Sequence, residues 1–182
     1  MPIYSGQGDA GRTRRMGGRE VPKCDPSVRA TGVLDELGAR LGWCLAAAAG
    51  AADVAEPLRR IQSELLAAGA MLAAAGADVR PGAALADEAV AWIEATIDAA
   101  EAELPALDRL LVPVGCELAC RLHLARTACR RAECDVAALA ADVTVPAAVP
   151  RYLNRLSDLL FVLARLANVR AGVAEQRWEP PA

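Results

Sequence analysis

Residues 147–171 read AAVPRYLNRLSDLLFVLARLANVRA, and they carry the clearest structural signal in the chain. Apolar residues recur every three or four positions, at Leu153, Leu156, Leu160 and Leu163. That spacing is typical of an α-helix with one buried face. Gly172 comes next, and glycine is the residue that most often follows the end of a helix. The stretch therefore predicts a long amphipathic helix.

The same spacing recurs in four earlier segments. The five predicted helices cover residues 27–49, 53–75, 85–104, 116–141 and 147–171. We expect Ser27 to cap the first helix, because a serine hydroxyl can accept a hydrogen bond from an N–H of the first turn. Short connections between long amphipathic helices favour an antiparallel bundle. The predicted fold class is all-α, as one domain over residues 1–182: an arm at 1–26, a bundle at 27–172 and a frayed tail at 173–182.

The composition excludes several other classes of protein. The chain has 182 residues, of which 54% are hydrophobic and only 3% aromatic, and the low aromatic content argues against an all-β fold. A net charge of −3 gives no sign of a nucleic-acid partner. No uncharged apolar run of about 18 residues predicts a membrane span, and the first 15 residues lack the apolar core of a secretory signal. We therefore expect a cytoplasmic protein without a membrane partner.

The arm is rich in glycine and matches a dinucleotide-binding pattern in letters alone. Gly6, Gly8 and Gly11 have the spacing Gly-x-Gly-x-x-Gly, but only five residues precede them. The pattern needs a strand before it and a helix directly after it, so it does not predict a Rossmann fold here. A glycine-rich loop can still direct backbone N–H groups at a phosphate. We expect an ordered loop or a mobile arm.

Positive charge is concentrated in two regions of an acidic chain. Residues 1–31 carry a net charge of +3 and residues 117–134 a net charge of +2. Lys23 is the only lysine among 20 basic residues, so it is either a chance occurrence or a position that needs a compact ammonium group. The two regions indicate either a local anionic ligand or ordinary solvated charge.

Three arginines and a glutamate in the fourth predicted helix form the strongest candidate site. Arg126, Arg130 and Glu133 share one helix face, and Arg131 lies about 100° round from Arg130. Guanidinium groups suit phosphate oxygens, and Glu133 can orient one of them or lie near a magnesium ion. Asn154, early in the last helix, can bind a ribose or a phosphate. The alternatives are a salt-bridged helix surface for the arginines and a capping role for Asn154.

Cysteine and histidine spacing leaves one further possibility open. The chain has six cysteines, which we expect to be reduced thiols in this setting. Cys116, Cys120 and His123 fall on one face of the fourth predicted helix, as a three-ligand metal site would require. The alternative is that small cysteines simply pack in the core.

Two long motifs carry a family resemblance. Residues 126–133, RTACRRAE, and 152–165, YLNRLSDLLFVLAR, resemble the PduO-type ATP:cob(I)alamin adenosyltransferases. Shorter matches in the same order cover nearly the whole chain. They are Gly8-Asp9, Gly17, Pro22-Lys23, Asp35-Glu36-Leu37, Ile61-Gln62 and Leu104-Pro105.

The resemblance implies a five-helix bundle that assembles as a homotrimer with ATP sites between subunits. It also implies transfer of the 5′-deoxyadenosyl group from Mg-ATP to cob(I)alamin, with release of triphosphate. A flavoprotein reductase and a B12-dependent acceptor enzyme are the expected protein partners. Besides ATP and Mg²⁺, the implied ligand is cobalamin as the substrate.

The resemblance further implies roles for individual residues. The arm residues that would wrap ATP are Ser5, Gly6, Gln7, Gly8, Thr13 and Arg14, and Lys23 would meet its phosphates. Arg130, Arg131 and Glu133 would hold phosphates and magnesium, and Asn154 would contact the nucleotide. Arg126 would pair with Asp35 of the adjacent subunit, so that Arg126, Arg130 and Asp35 are the catalytic candidates.

This sequence departs from the family at Cys24, where an acidic residue is usual, at Arg29, where a glutamate is usual, and in two places that bear directly on the implied ligands. The arm reads Ser5-Gly6-Gln7-Gly8-Asp9 where the family has Thr-Arg/Lys-Thr-Gly-Asp. Leu110 stands where the family has a phenylalanine that faces the corrinoid and helps to displace its lower ligand. The alternative function is a diverged member that binds a corrinoid, another tetrapyrrole or a nucleotide without adenosyl transfer. In that case Cys24, Cys129 and Cys134, near the implied site, would mark the new chemistry.

Overall fold

The computed structural model describes residues 3–180, so the outermost two residues of the predicted arm and of the predicted tail lie outside the described residues. Five helices and one hairpin make up the fold. The strands are β1 (Arg12–Arg14) and β2 (Glu20–Pro22), and the helices are α1 (Pro26–Ala47), α2 (Ala52–Ala74), α3 (Ala89–Glu101), α4 (Glu117–Asp142) and α5 (Ala148–Arg170). The predicted all-α bundle is confirmed. In the described part of the chain, no helix is both long and apolar enough to cross a membrane.

Helix α5 lies at the centre of the packing. It contacts α4, α3 and α2, while α1 packs against both α2 and α4. The leucine face of α5 that the sequence predicts is buried, with Leu153, Leu156, Leu160 and Leu163 all at most 1% exposed. Each such leucine contributes about 1.5–3 kcal/mol through removal of apolar surface from water. Burial of this face therefore positions α4 and α5 side by side.

Four helices match their predicted limits to within two residues, but α3 is shorter than predicted. The sequence predicts a helix over residues 85–104, whereas α3 covers Ala89–Glu101. Leu85 is buried in the loop before α3, and its backbone N–H points to the sulfur of Met71 at 3.3 Å. The apolar residue at 85 thus packs on α2 without belonging to a helix.

The cap of α1 is Asp25, so the prediction for Ser27 is wrong. The Asp25 carboxylate accepts hydrogen bonds from the backbone N–H of Ser27 at 2.9 Å and from its hydroxyl at 2.5 Å. Pro26 occupies the first helical position, where its missing N–H costs nothing. Ser27 is therefore already inside the first turn.

The arm contains a β-hairpin that the sequence does not predict. Strands β1 and β2 pair antiparallel with Thr13 opposite Val21. Gly17 adopts φ +88° in the connection, a conformation that glycine tolerates. Arg15 anchors the hairpin, since its Nη2 donates to the backbone oxygen of Ala75 at 2.5 Å, at the end of α2.

The tail is docked, so the prediction that it is frayed is also wrong. Leu111 and Arg177 form an antiparallel bridge, flanked by a hydrogen bond from the backbone N–H of Trp178 to the oxygen of Leu110 at 2.7 Å. Arg165, which is 4% exposed, pairs with Glu175 at 2.7 Å. These contacts hold the tail against the segment that carries Leu110.

Candidate functional site

A cavity of about 480 Å³ lies in the arm. Its lining residues are Ser5, Gln7, Gly8, Arg12, Thr13, Arg14 and Glu20. Lys23 lies directly over Gly8, because a Cβ added at Gly8 would be 3.0 Å from the Lys23 ammonium nitrogen. Gly6 does not line the cavity but forms a turn next to it, with its oxygen accepting from the N–H of Asp9 at 3.2 Å. The structure thus brings the predicted arm residues together.

The arm cavity is cationic. Arg12 is paired with Glu20 at 2.7 Å, which neutralises that arginine. Within residues 3–180, Arg14 and Lys23 form no ion pair. Two cations without partners beside a glycine-rich turn suit an anionic ligand such as a phosphate.

A second cavity, of about 300 Å³, lies against α4 and α5. It is lined by Leu107, Arg109, Leu110, Leu111, Arg126, Arg130, Ser157, Asp158 and Phe161. The guanidinium carbon of Arg126 is 5.8 Å from the centre of the Phe161 ring. The cavity therefore has an apolar wall and a cationic wall, as a large ligand with both characters would need.

Arg126 is poised for an anionic partner. Its Nε is buried and has no hydrogen-bond partner within the described chain. Burial lowers the pKa of the Arg126 guanidinium, and the positive charge of Arg130 lowers it further. A half-buried guanidinium whose Nε has no partner is costly to maintain, and a carboxylate or phosphate placed against it lowers that cost.

Glu133, Asn154 and Arg131 connect α4 to its neighbours. The Asn154 side-chain Nδ2 donates to Glu133 Oε1 at 3.0 Å, which joins α5 to α4. Arg131 points the other way and bonds to Glu36 on α1. The pKa of Glu36 is lowered by hydrogen bonds from Arg40 and from Arg131. Arg131 is thus occupied within the chain, whereas Arg130 is free to face the second cavity.

Within one chain the two cavities share no lining residue. Lys23 lies at the arm cavity and Arg130 at the α4 cavity. Asp35 is exposed on α1 and makes no ion pair with Arg126 among the described residues. Within the described chain, the predicted site residues therefore fall into two groups, one at the arm cavity and one on α4 and α5.

The metal alternative at the start of α4 is not supported. Residues 3–180 hold no group of three His, Cys, Asp or Glu side chains placed to bind a metal ion. The Cys120 sulfur contacts the oxygen of Gly115 at 3.6 Å, while the ring of His123 lies 6.2 Å from that of Phe161. Cys116 precedes α4, and its N–H donates to Asn168 Oδ1 at 2.9 Å.

Sequence reasoning missed Leu107, Leu111 and Phe161 as lining residues. Phe161 follows Asn154 by two helical turns, so the spacing of α5 contained a signal for it. Leu107 and Leu111 lie in an irregular segment, where side-chain direction has no period to read. Only the tertiary contacts place them at the α4 cavity.

The fold is a helical bundle, and its described part carries two cavities lined with arginine side chains. The family model described as "Cobalamin adenosyltransferase" matches residues 3–167, and the chain belongs to this family. The resemblance stated from the sequence is thereby confirmed.

Individual relatives agree with the family assignment. The chain is 39% identical over 182 residues to a corrinoid adenosyltransferase of Bacillus subtilis, covering 98% of this chain and 93% of that protein. It is 42% identical to the corrinoid adenosyltransferase PduO of Salmonella typhimurium, covering 91% of this chain and 49% of that longer protein. Among solved structures, a variant PduO-type ATP:corrinoid adenosyltransferase from Lactobacillus reuteri, complexed with cobalamin and ATP, matches with a TM-score of 0.91. That match has 31% identity and covers 98% of this chain and 100% of the other.

Proposed function

We propose that this chain transfers the 5′-deoxyadenosyl group of ATP to the cobalt of cob(I)alamin, forming adenosylcobalamin and releasing triphosphate. The observation that carries this proposal is the match to the Lactobacillus reuteri enzyme, which was solved with cobalamin and ATP and has the same fold over 98% of this chain. The alternative, a member that binds ligands without transfer, is not favoured, because relatives at 39% and 42% identity carry the name of the transferase.

The reaction requires little covalent chemistry from the protein. The electron pair of Co(I) attacks C5′ of ATP, the Co–C bond forms, and the C5′–O bond breaks with its electrons leaving on the triphosphate. Because the corrinoid supplies the nucleophile, the protein has to align C5′ with cobalt and stabilise the leaving anion. Preorganised cations do the second task without reorganising during the reaction.

The arm cavity is the proposed half-site for ATP. Ser5, Gln7, Gly8, Thr13 and Arg14 line it, the Gly6 turn borders it, and Lys23 lies over Gly8. In our proposal the hydroxyls and backbone N–H groups wrap the nucleotide and Lys23 meets its phosphates. The cavity volume and the two cations without partners support this assignment.

Helix α4 supplies the proposed second half-site. Arg130 would bind the phosphates, joined by Arg131 once it leaves Glu36, and Asn154 would contact the nucleotide. Glu133 fits a magnesium ion, because Mg²⁺ in nucleotide sites takes one or two carboxylates and the remaining ligands from phosphate and water. Its Oε1 accepts from Asn154, which leaves Oε2 for the metal. When bound, the ion neutralises phosphate charge.

The apolar wall of the α4 cavity is the proposed corrinoid side. Leu110 is 72% exposed at its rim, with Leu107, Leu111 and Phe161 beside it. An exposed leucine of this size next to an aromatic ring suits the apolar face of a macrocycle. Leu110 would take the place that phenylalanine has in the family.

We further propose that the two halves meet across a homotrimer interface. Lys23 lies over Gly8 of the arm cavity, whereas Arg130 lines the α4 cavity, so in our proposal a neighbouring copy unites them. Arg126 would pair with the partner subunit's Asp35. The unpartnered Nε of Arg126 and the exposure of Asp35 support this pairing. Outside the assembly, a flavoprotein reductase would supply Co(I) and a B12-dependent enzyme would take the product, in the cytoplasm.

A spectroscopic assay tests the function. Purified protein is incubated with Mg-ATP and chemically reduced cobalamin, and the absorbance of Co(I) is followed into adenosylcobalamin. We expect turnover, and we expect Arg130→Ala to lower it by about 10²-fold, because the variant removes one preorganised cation. The oligomeric state in gel filtration should stay unchanged. Arg59→Ala, which removes an exposed ion pair with Glu56 on α2, is the matched control.

The outcomes separate the functions. Tight corrinoid binding without turnover would favour the non-transferring alternative. If the protein bound neither ATP nor corrinoid, both the transferase function and the non-transferring alternative would be contradicted.

A further inference from the structure

A chain of hydrogen bonds crosses three helices and ends at the proposed nucleotide site. Glu94 on α3 accepts from Arg155 Nε at 2.9 Å through its Oε1. Arg155 Nη1 on α5 donates to Asn154 Oδ1 at 2.6 Å. Asn154 Nδ2 in turn donates to Glu133 Oε1 on α4 at 3.0 Å.

This series of hydrogen bonds permits only one orientation of the Asn154 amide. Arginine is only a donor and an ionised glutamate only an acceptor. The amide oxygen of Asn154 therefore has to face Arg155, and its NH₂ group has to face Glu133. A reversed amide would place donor against donor and acceptor against acceptor. The two neighbours thus specify which polar group of Asn154 faces which way.

Glu94 holds the Arg155 side chain in place. Asn154, Arg155 and Glu94 are all exposed, so each side chain would otherwise sample several rotamers. Arg155 makes ion-pair contact with Glu94 at 2.9 Å, and its second nitrogen is then directed at Asn154. The carboxylate also neutralises the charge of Arg155, which separates that arginine electrostatically from the cations of α4.

We propose that Glu94 and Arg155 are positioning residues that orient Asn154 and Glu133 for ATP. This inference rests on the proposed function, which places the nucleotide at Asn154. Helix α3 packs chiefly against α5 and lines neither of the cavities described above. Through Glu94, the inference gives this helix a role in ATP binding besides packing.

If Glu94 had only a structural role, Glu94→Ala would lower the thermal midpoint and leave ATP binding unchanged. An exposed ion pair contributes little to stability, so Glu94→Ala should leave the thermal midpoint nearly unchanged. A positioning role should appear instead in the dissociation constant of ATP, measured by calorimetry with Mg-ATP and without corrinoid. The stability and binding measurements together distinguish the two roles.

The decisive experiment is a double-mutant cycle on ATP binding. We expect Glu94→Ala to weaken binding by about five-fold in the wild-type background and to have no effect in the Asn154→Ala background, because coupled residues are not additive. Glu94→Gln should retain most of the affinity, since its amide oxygen still accepts from Arg155. Glu56→Ala, in the exposed pair with Arg59, is the control and should bind like the wild type.

Each result has a definite meaning. Equal losses from Glu94→Ala in both backgrounds, or no loss in the wild type, would overturn the inference and leave the proposed function standing. If Asn154→Ala itself bound ATP normally, the placement of the nucleotide at Asn154 would fail, and the inference would fail with it.

Discussion

Gly115 is a position where a single added carbon would disrupt the structure next to the α4 cavity. Its φ is +143°, and a Cβ there would lie 2.0 Å from Asn168 Oδ1. Asn168 is 3% exposed and cannot move aside easily. Its amide accepts from the N–H of Cys116 at 2.9 Å and donates to the oxygen of Val114 at 3.2 Å. Gly115 thus allows the loop that carries Leu110 to join α4.

We predict that Gly115→Ala lowers the free energy of unfolding by about 3 kcal/mol, because both Asn168 hydrogen bonds are lost and their groups stay buried. Urea denaturation measures the change. Gly82→Ala is the control, since nothing lies within 4 Å of a Cβ at that position, and it should change stability by less than about 0.5 kcal/mol. Equal effects of the two substitutions would contradict the prediction.

His123 should make stability depend on pH. It is 7% exposed, its Nδ1 has no partner in the described chain, and burial together with Arg126 lowers its pKa below the usual 6.5. The unfolded chain therefore binds a proton more readily than the folded protein does. Stability is unaffected above about pH 7 and falls as the pH drops below about 6.5.

We predict that His123→Leu flattens this dependence between pH 7 and pH 5, as measured by urea denaturation at several pH values. His123 is the only histidine, so no other imidazole contributes in this window. Asp25 and Glu36 have lowered pKa values, and the stability they contribute is lost only below about pH 4.5, outside the window. Parallel pH profiles for wild type and variant would contradict the assignment.

At the level of elements, the tail holds the rim of the α4 cavity. Arg165 on α5 is nearly fully buried and pairs with Glu175 at 2.7 and 3.2 Å, and it also donates to the oxygen of Pro105. The segment around Leu110 is then bonded to the tail through Trp178. The proposed corrinoid side therefore depends on contacts between parts of the chain about 60 residues apart.

We predict that Glu175→Ala costs about 3 kcal/mol of stability, because it leaves the Arg165 charge buried without its counter-ion. Differential scanning calorimetry should show a lowered midpoint. Arg177→Ala removes a pair with Asp108 in which both side chains are more than half exposed, and it should cost less than about 0.5 kcal/mol. A similar small shift for both variants would show that the buried pair contributes little.

At the level of the whole molecule, the separation of Lys23 from Arg130 makes the assembly testable. If each site takes Lys23 from one protomer and Arg130 from its neighbour, two inactive variants can complement each other. Lys23→Ala and Arg130→Ala, co-expressed with different tags, would form mixed trimers. In a closed ring of three that contains both variants, about one interface in three pairs an intact Lys23 with an intact Arg130.

We therefore predict that doubly tagged assemblies regain up to about a third of wild-type turnover in the Co(I) assay. Each variant alone is the control and should be nearly inactive. Doubly tagged assemblies without activity would place both residues in one protomer's site and contradict the interface proposal.

The sequence predicted the helices well because helical structure is local. The spacing of Leu153, Leu156, Leu160 and Leu163 is a property of neighbouring residues, and burial of that face followed from it. The arginines of α4 and the glycines of the arm were likewise found from spacing and residue chemistry. The resemblance added the family, which the family model confirmed over residues 3–167.

Apart from the cap of α1 and Phe161, the misses share a physical cause, since each depends on residues remote in sequence or on a short element without a period. Strands β1 and β2 have three residues each, too few for alternation to show. Leu85 packs against α2, and the tail is ordered by Arg165 and by the Leu110 segment. Spacing along the chain thus specified which helices form and which side chains carry charge. Packing between distant segments specified where the cavities lie, because contact between remote residues depends on the closed bundle and not on local periodicity.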